Sequence, residues 1–254
     1  MVEEHAELSS KFYPLPCMFT IASLFCGFYS ILAAIKGDFV IAAVAILVAA
    51  VFDGLDGRVA RFTGTTSTFG MELDSLCDLV SFGVAPALLA YFWTLQPYGR
   101  YGWLAAFLYV ATTSLRLARF NSQNSSAAKH FTGLPCPAAA SMISAAVLFA
   151  GYLGIEGSVK HLALLFLVYI LAYLMVSTHP YYSFKKPPQA TKARTFQLLV
   201  GSVLLLVLFA AEPQVMMFIT FLLYIASGPV FAAVRKVKLI AAKAEIARKT
   251  PAKG

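Results

Sequence analysis

Asp53, Asp56, Asp74 and Asp78 are four of only five aspartates in the chain, and all fall within the stretch DGLDGRVARFTGTTSTFGMELDSLCD. The first pair is spaced i,i+3 and the second i,i+4, so on helices each pair shares one face. Carboxylates gathered in this way repel one another and neutralise in part unless a counter-charge is present. The nearby Arg58 and Arg61 are too few to balance all four. Divalent cations can do so, and an all-oxygen donor set suits hard ions such as Mg2+, Mn2+ or Ca2+. Two ions held by shared carboxylates would stabilise attacking and leaving oxygens together in a displacement at phosphorus. Gly57, Ala60 and Gly70 lie beside the acids and leave room for a bulky ligand to approach the backbone. Taken singly, each glycine fits close helix packing equally well.

The elements that carry these acids must cross a membrane. Of 254 residues, 59% are hydrophobic and 13% charged, against about 25% charged in a soluble domain. Mean hydropathy is +0.75. Several apolar runs reach the roughly 20 residues that span a bilayer as a helix. The sequence predicts an all-α polytopic membrane bundle of eight spans, near 15–35, 39–61, 71–95, 102–120, 135–154, 160–179, 194–211 and 214–234. Gly37, Pro97-Tyr98-Gly99, Gly154, Pro180, Pro187-Pro188 and Pro213 punctuate the connections. A charge at mid-span costs about 2.5–3.5 kcal/mol, so the aspartates must face a protein cavity, a counter-charge or bound cations rather than lipid. Asp53 falls about 14 residues, or roughly 21 Å, into the second span, within one leaflet.

Orientation follows from the basic residues. With a cytoplasmic N-terminus, only Lys36, Arg100 and Lys160 of the 20 Lys and Arg lie outside. An odd number of spans scrambles that separation, so both termini and the aspartates are expected on the cytoplasmic side of the inner, cytoplasmic membrane. The acidic start MVEEHAELSS lacks a basic n-region, and no signal cleavage is expected. Cys17, Cys26, Cys77 and Cys136 have no metal-binding spacing and are expected as small buried hydrophobes. The net charge of +8 fits topology and anionic lipid headgroups rather than nucleic acid. The tail from Arg235 carries seven basic residues and fits either an amphipathic helix on lipid or a frayed continuation of the last span.

The pattern Asp53-x2-Asp56-Gly57-x2-Ala60-Arg61-x8-Gly70-x3-Asp74-x3-Asp78 resembles the full signature of the CDP-alcohol phosphotransferase family, with all eight positions matched. The resemblance implies a membrane enzyme that moves a substituted phosphoryl group from a CDP-linked donor to an alcohol and releases CMP. It implies two divalent ions, Mg2+ or Mn2+ with Ca2+ as another occupant, on Asp53, Asp56, Asp74 and Asp78. It makes Asp78 the general base, and Gly57, Ala60, Arg61 and Gly70 the donor site. It also implies a six-helix core and a homodimer. The chain then divides into an interfacial N-terminus at 1–14, a core at 15–183, a loop and C-terminal hairpin at 184–234, and a basic tail at 235–254.

Three further stretches, LVSFGVAPA after Asp78, LRLARFN at 115–121 and FTGLPCPAAA at 131–140, are similar to the serine-using branch of that family. They imply CDP-diacylglycerol and L-serine as substrates. Arg116 and Arg119 are i,i+3, and an arginine fork suits the serine carboxylate. Asn121 and Ser81 could add hydrogen bonds. The arginines also fit snorkelling anchors, or a phosphorylated acceptor such as glycerol 3-phosphate or inositol phosphate. His130 reads as a solvated loop residue, and His161 and His179 as span ends without a role. A divalent-cation transporter is a rival of another class. It would string acids across several spans, whereas here they concentrate on two.

Overall fold

The computed structural model describes residues 14–63, 68–123, 133–155, 162–177 and 206–249, and among these residues every regular element is a helix. The expected N-terminal segment, the loop carrying Lys129 and His130, and the stretch 178–205 lie outside the described residues. So does most of the seventh expected span, of which 206–211 is helical.

Helices α1 (Pro14–Lys36) and α2 (Phe39–Thr63) form an antiparallel hairpin. The chain reverses at Gly37, whose φ of 88° lies in the left-handed region that glycine adopts without a Cβ clash. There the Gly37 N–H donates to the Ala34 carbonyl at 3.2 Å and the Asp38 N–H to the Ala33 carbonyl at 2.9 Å, satisfying the end of α1. Small residues let the two backbones approach: Ala33, Ala34, Ala42, Ala43 and Ala49 are buried along the seam. Two hydroxyls stitch it, with Ser30 Oγ donating to the Ala42 carbonyl at 2.9 Å and Ser23 Oγ to the Ala49 carbonyl at 3.1 Å.

The third rod covers the expected span at 71–95 but is not a uniform α-helix. It runs through α3 (Thr68–Asp78), a π-helical turn (Leu79–Val84), α4 (Ala85–Ala90), a second π-helical turn (Tyr91–Leu95) and a 3-10 turn (Gln96–Tyr98). The prolines supply a physical reason. A proline has no N–H, and its ring crowds the carbonyl four residues earlier. For Pro86 and Pro97 those carbonyls belong to Phe82 and Trp93, each inside one of the widened turns.

Helices α5 (Arg100–Gln123), α6 (Cys136–Tyr152), α7 (Leu162–Val176) and α8 (Pro213–Lys249) complete the bundle. The segment entering α6 docks on the end of α7, where the Leu134 N–H donates to the Leu174 carbonyl at 3.1 Å. Gly133 sits there at φ 90°, and a Cβ would lie 2.6 Å from the Met175 carbonyl oxygen. Phe82, Leu89, Tyr109, Ile143 and Leu171 fill the centre. Phe25, Phe28, Val51, Phe107 and Phe166 are exposed on the outside, as suits lipid contact.

Four stretches, Cys17–Lys36, Phe39–Val59, Phe69–Tyr98 and Pro213–Phe231, are long and apolar enough to cross a membrane, and α6 and α7 are shorter apolar helices. The chain is an all-α, multi-pass membrane bundle. The expected tight connection before the last helix is present, since Glu212 separates helical residue 211 from Pro213. The expected limit of the last span at 234 is not a structural break: α8 continues to Lys249, so the tail backbone extends the span as one helix.

Candidate active site

The acids come together as their spacing predicts. Asp53 and Asp56 lie on the C-terminal half of α2, and Asp74 and Asp78 on α3. Carboxylate oxygens of Asp53, Asp56 and Asp74 all lie within 4.8 Å of one another. Asp78 joins them, with its carboxyl in direct electrostatic interaction with those of Asp53, Asp74 and Asp56. Asp56 is buried and the other three are half-buried, so the cluster is largely removed from solvent.

The donor set fits hard divalent cations. Asp74 Oδ1 is buried and has no hydrogen-bond partner among the described residues. An anionic oxygen left without a partner costs far more than a satisfied one, and a cation would supply what the protein does not. Gly57 and Gly70 lie half-buried on α2 and α3. Ala60 and Arg61 lie on α2, but their side chains fall outside those described.

Helix α1, which carries none of the acids, packs against both α2 and α3. Thr20 Oγ1 donates to Asp56 Oδ2 at 2.9 Å. The Ser23 carbonyl accepts from Ser81 Oγ at 3.1 Å, immediately beyond Asp78. Neither Thr20 nor Ser23 is among the residues singled out from the sequence. Their signal was present as Thr20-x2-Ser23-x3-Gly27-x2-Ser30, small and polar residues on one face of an otherwise oily helix.

The four residues expected at the acceptor separate into two groups. Ser81 is fully buried and its hydroxyl is spent on the Ser23 carbonyl. Asn121 bridges to α3 with both ends of its amide, accepting from Ser75 Oγ at 3.2 Å and donating to Glu72 Oε2 at 3.3 Å. Arg116 is different. Its Nη1 donates to Cys136 Sγ at 3.1 Å, while its buried Nε has no partner among the described residues. Cys136, the first residue of α6, is also within electrostatic range of Asp78 and Asp53. Tyr224 of α8 lies within electrostatic range of Arg116. Arg119 is half-buried one turn further along α5.

These contacts put the start of α1, the end of α2, the start of α3, the end of α5 and the start of α6 at one end of the bundle.

Comparison with known proteins identifies the family. A family model described as CDP-alcohol phosphatidyltransferase matches residues 13–172. Over 176 residues the chain is 46% identical to a CDP-diacylglycerol–serine O-phosphatidyltransferase of Helicobacter pylori, covering 68% of this chain and 74% of the relative. A protein of the same name from Bacillus subtilis is 35% identical over 174 residues, 68% of this chain and 92% of its own. An archaetidylserine synthase of Methanothermobacter thermautotrophicus is 37% identical over 174 residues, with shares of 68% and 71%. The matched span contains α1 to α6, the carboxylate cluster and most of α7; this chain belongs to the CDP-alcohol phosphatidyltransferase family.

Proposed function

We propose that this chain transfers the phosphatidyl group of CDP-diacylglycerol to the hydroxyl of L-serine, yielding phosphatidylserine and CMP. The observation that carries the reading is the convergence of Asp53, Asp56 and Asp74 within 4.8 Å, with Asp78 beside Asp53, in a chain similar to serine-using relatives. Asp53, Asp56, Asp74 and Asp78 would hold divalent ions, Mg2+ or Mn2+, two to a site. Bound there, such ions would neutralise the diphosphate and the charge that develops on departing CMP.

The chain's own residues would do the rest. Asp78 takes the proton of the serine hydroxyl as that oxygen forms its bond to the phosphorus carrying diacylglycerol. The bond from that phosphorus to the CMP oxygen breaks, and CMP leaves with its electron pair. Arg116, with a buried and unpartnered Nε, receives the serine carboxylate. Arg119 supports it from the next turn. Gly57, Ala60, Arg61 and Gly70 bound the CDP moiety, with Arg61 near phosphate. Donor lipid enters from the cytoplasmic leaflet and serine from the cytoplasm. A homodimer is part of the same reading and rests on the family resemblance.

The test is CMP release by purified protein in detergent with CDP-diacylglycerol, Mn2+ or Mg2+ and one candidate alcohol at a time. Serine-dependent CMP release, with phosphatidylserine as the lipid product, is the expected result. Release with glycerol 3-phosphate or inositol phosphate but not with serine would overturn the acceptor assignment while leaving the transfer chemistry in place.

A further inference from the structure

The widest departure from regular helix near the acids is the π-helical turn Leu79–Val84, which begins at the residue after Asp78. Such turns leave one extra residue in the helix and change the direction of the side chains beside them. The turn is not held by its own rod alone. Helix α1 meets it at Gly27, where an added Cβ would lie 2.5 Å from Ser81 Oγ, 2.6 Å from Ser81 Cα and 2.8 Å from Ser81 Cβ. No side chain fits at 27 without moving α1 or the turn. One turn earlier on the same face of α1, the Ser23 carbonyl accepts the Ser81 hydroxyl at 3.1 Å. Ser23 Oγ in turn donates to the Ala49 carbonyl of α2 at 3.1 Å, so the anchor is tied to the other aspartate helix. On the far side, Gly83 fits closely against Thr113 of α5, with 3.2 Å from its Cβ position to Thr113 Cγ2.

We propose that Ser23 and Gly27 are positioning residues for Asp78: they clamp Ser81 and thereby fix the π-helical turn that aims the Asp78 carboxylate at the acceptor hydroxyl. The proposal rests on Asp78 acting as the base in the transfer to serine. It assigns a role in turnover to a helix that carries none of the acids. Ser30, lower on the same face, bonds the Ala42 carbonyl at 2.9 Å far from the acids and serves as the internal control.

The experiment measures kcat and KM by CMP release for wild type, Gly27→Ala, Ser81→Ala and Ser30→Ala, each with its thermal unfolding midpoint in detergent. A base displaced by about 1 Å loses up to about a hundredfold in rate. Gly27→Ala is expected to lose kcat on that scale, with KM for CDP-diacylglycerol within about twofold of wild type. Ser81→Ala should lower kcat, whereas Ser30→Ala should leave it unchanged. If Gly27→Ala does not fold, Ser81→Ala against Ser30→Ala decides the matter. Wild-type kcat in Gly27→Ala, or equal effects of Ser81→Ala and Ser30→Ala, would each overturn the proposal. Absence of serine-dependent CMP release by wild type would instead defeat the functional reading beneath it.

Discussion

Thr20 Oγ1 donates to Asp56 Oδ2 at 2.9 Å, joining two residues 36 positions apart and tying the most buried acid of the cluster to helix α1. A hydrogen bond to a charged group contributes about 1.5–3 kcal/mol, and here it holds an oxygen in the place where a cation would need it. Thr20→Val keeps the shape and removes the donor. The divalent-ion concentration for half-maximal activity should rise by about tenfold or more, read from CMP release against Mn2+. An unchanged Mn2+ dependence would mean that Thr20 serves packing alone.

Asp78→Asn should abolish most turnover. General base catalysis contributes about 10²–10⁴-fold, and the amide cannot take the proton. Because Asp53, Asp56 and Asp74 remain, binding of the CDP donor should largely survive, measured by equilibrium binding of a CDP-lipid in detergent. Activity within a few-fold of wild type would remove Asp78 as the base.

Arg116→Ala should raise the KM for serine by about tenfold to a hundredfold, the range expected for a lost charge-assisted hydrogen bond. Arg116→Lys should recover only part of this, since an ammonium lacks the planar fork. If serine KM stays constant while the protein loses stability, the bond from Nη1 to Cys136 Sγ is the whole of its role.

Asn121→Ala separates two roles in the same way. With its amide engaged by Ser75 and Glu72, the substitution should cost about 1 kcal/mol of stability per bond lost and leave serine KM unchanged. A large rise in serine KM at unchanged unfolding midpoint would restore Asn121 to the acceptor site.

One displacement step implies inversion at phosphorus. With CDP-diacylglycerol made chiral by isotopic or sulfur substitution at the transferred phosphorus, the phosphatidylserine formed should show inverted configuration. Net retention would require a covalent intermediate on the protein.

The aspartate cluster was legible in the sequence because helix geometry converts i,i+3 and i,i+4 spacing directly into shared faces. The all-helical, membrane-spanning character followed from apolar run lengths, and the hairpin turns from glycine and proline. What the sequence concealed depends on contacts across long separations. Asn121 and Ser81 have the right chemistry to bind serine, yet their partners Ser75, Glu72 and Ser23 lie 46, 49 and 58 positions away, and no local pattern announces them. The π-helical turns are set by how Pro86 and Pro97 crowd the carbonyls of Phe82 and Trp93, which hydropathy and run length do not register. Helix α1 read as an ordinary span, since a threonine, a serine and a glycine in an oily helix look like packing until their neighbours are known.

The most direct test of the site itself is to locate Mn2+ by anomalous scattering in crystals of the active protein grown with CDP-diacylglycerol. Mn2+ peaks bounded by the carboxylates of Asp53, Asp56, Asp74 and Asp78, with the donor diphosphate against them, are the expected result. Mn2+ bound elsewhere, or none at these four residues in protein that turns over serine, would contradict the assignment.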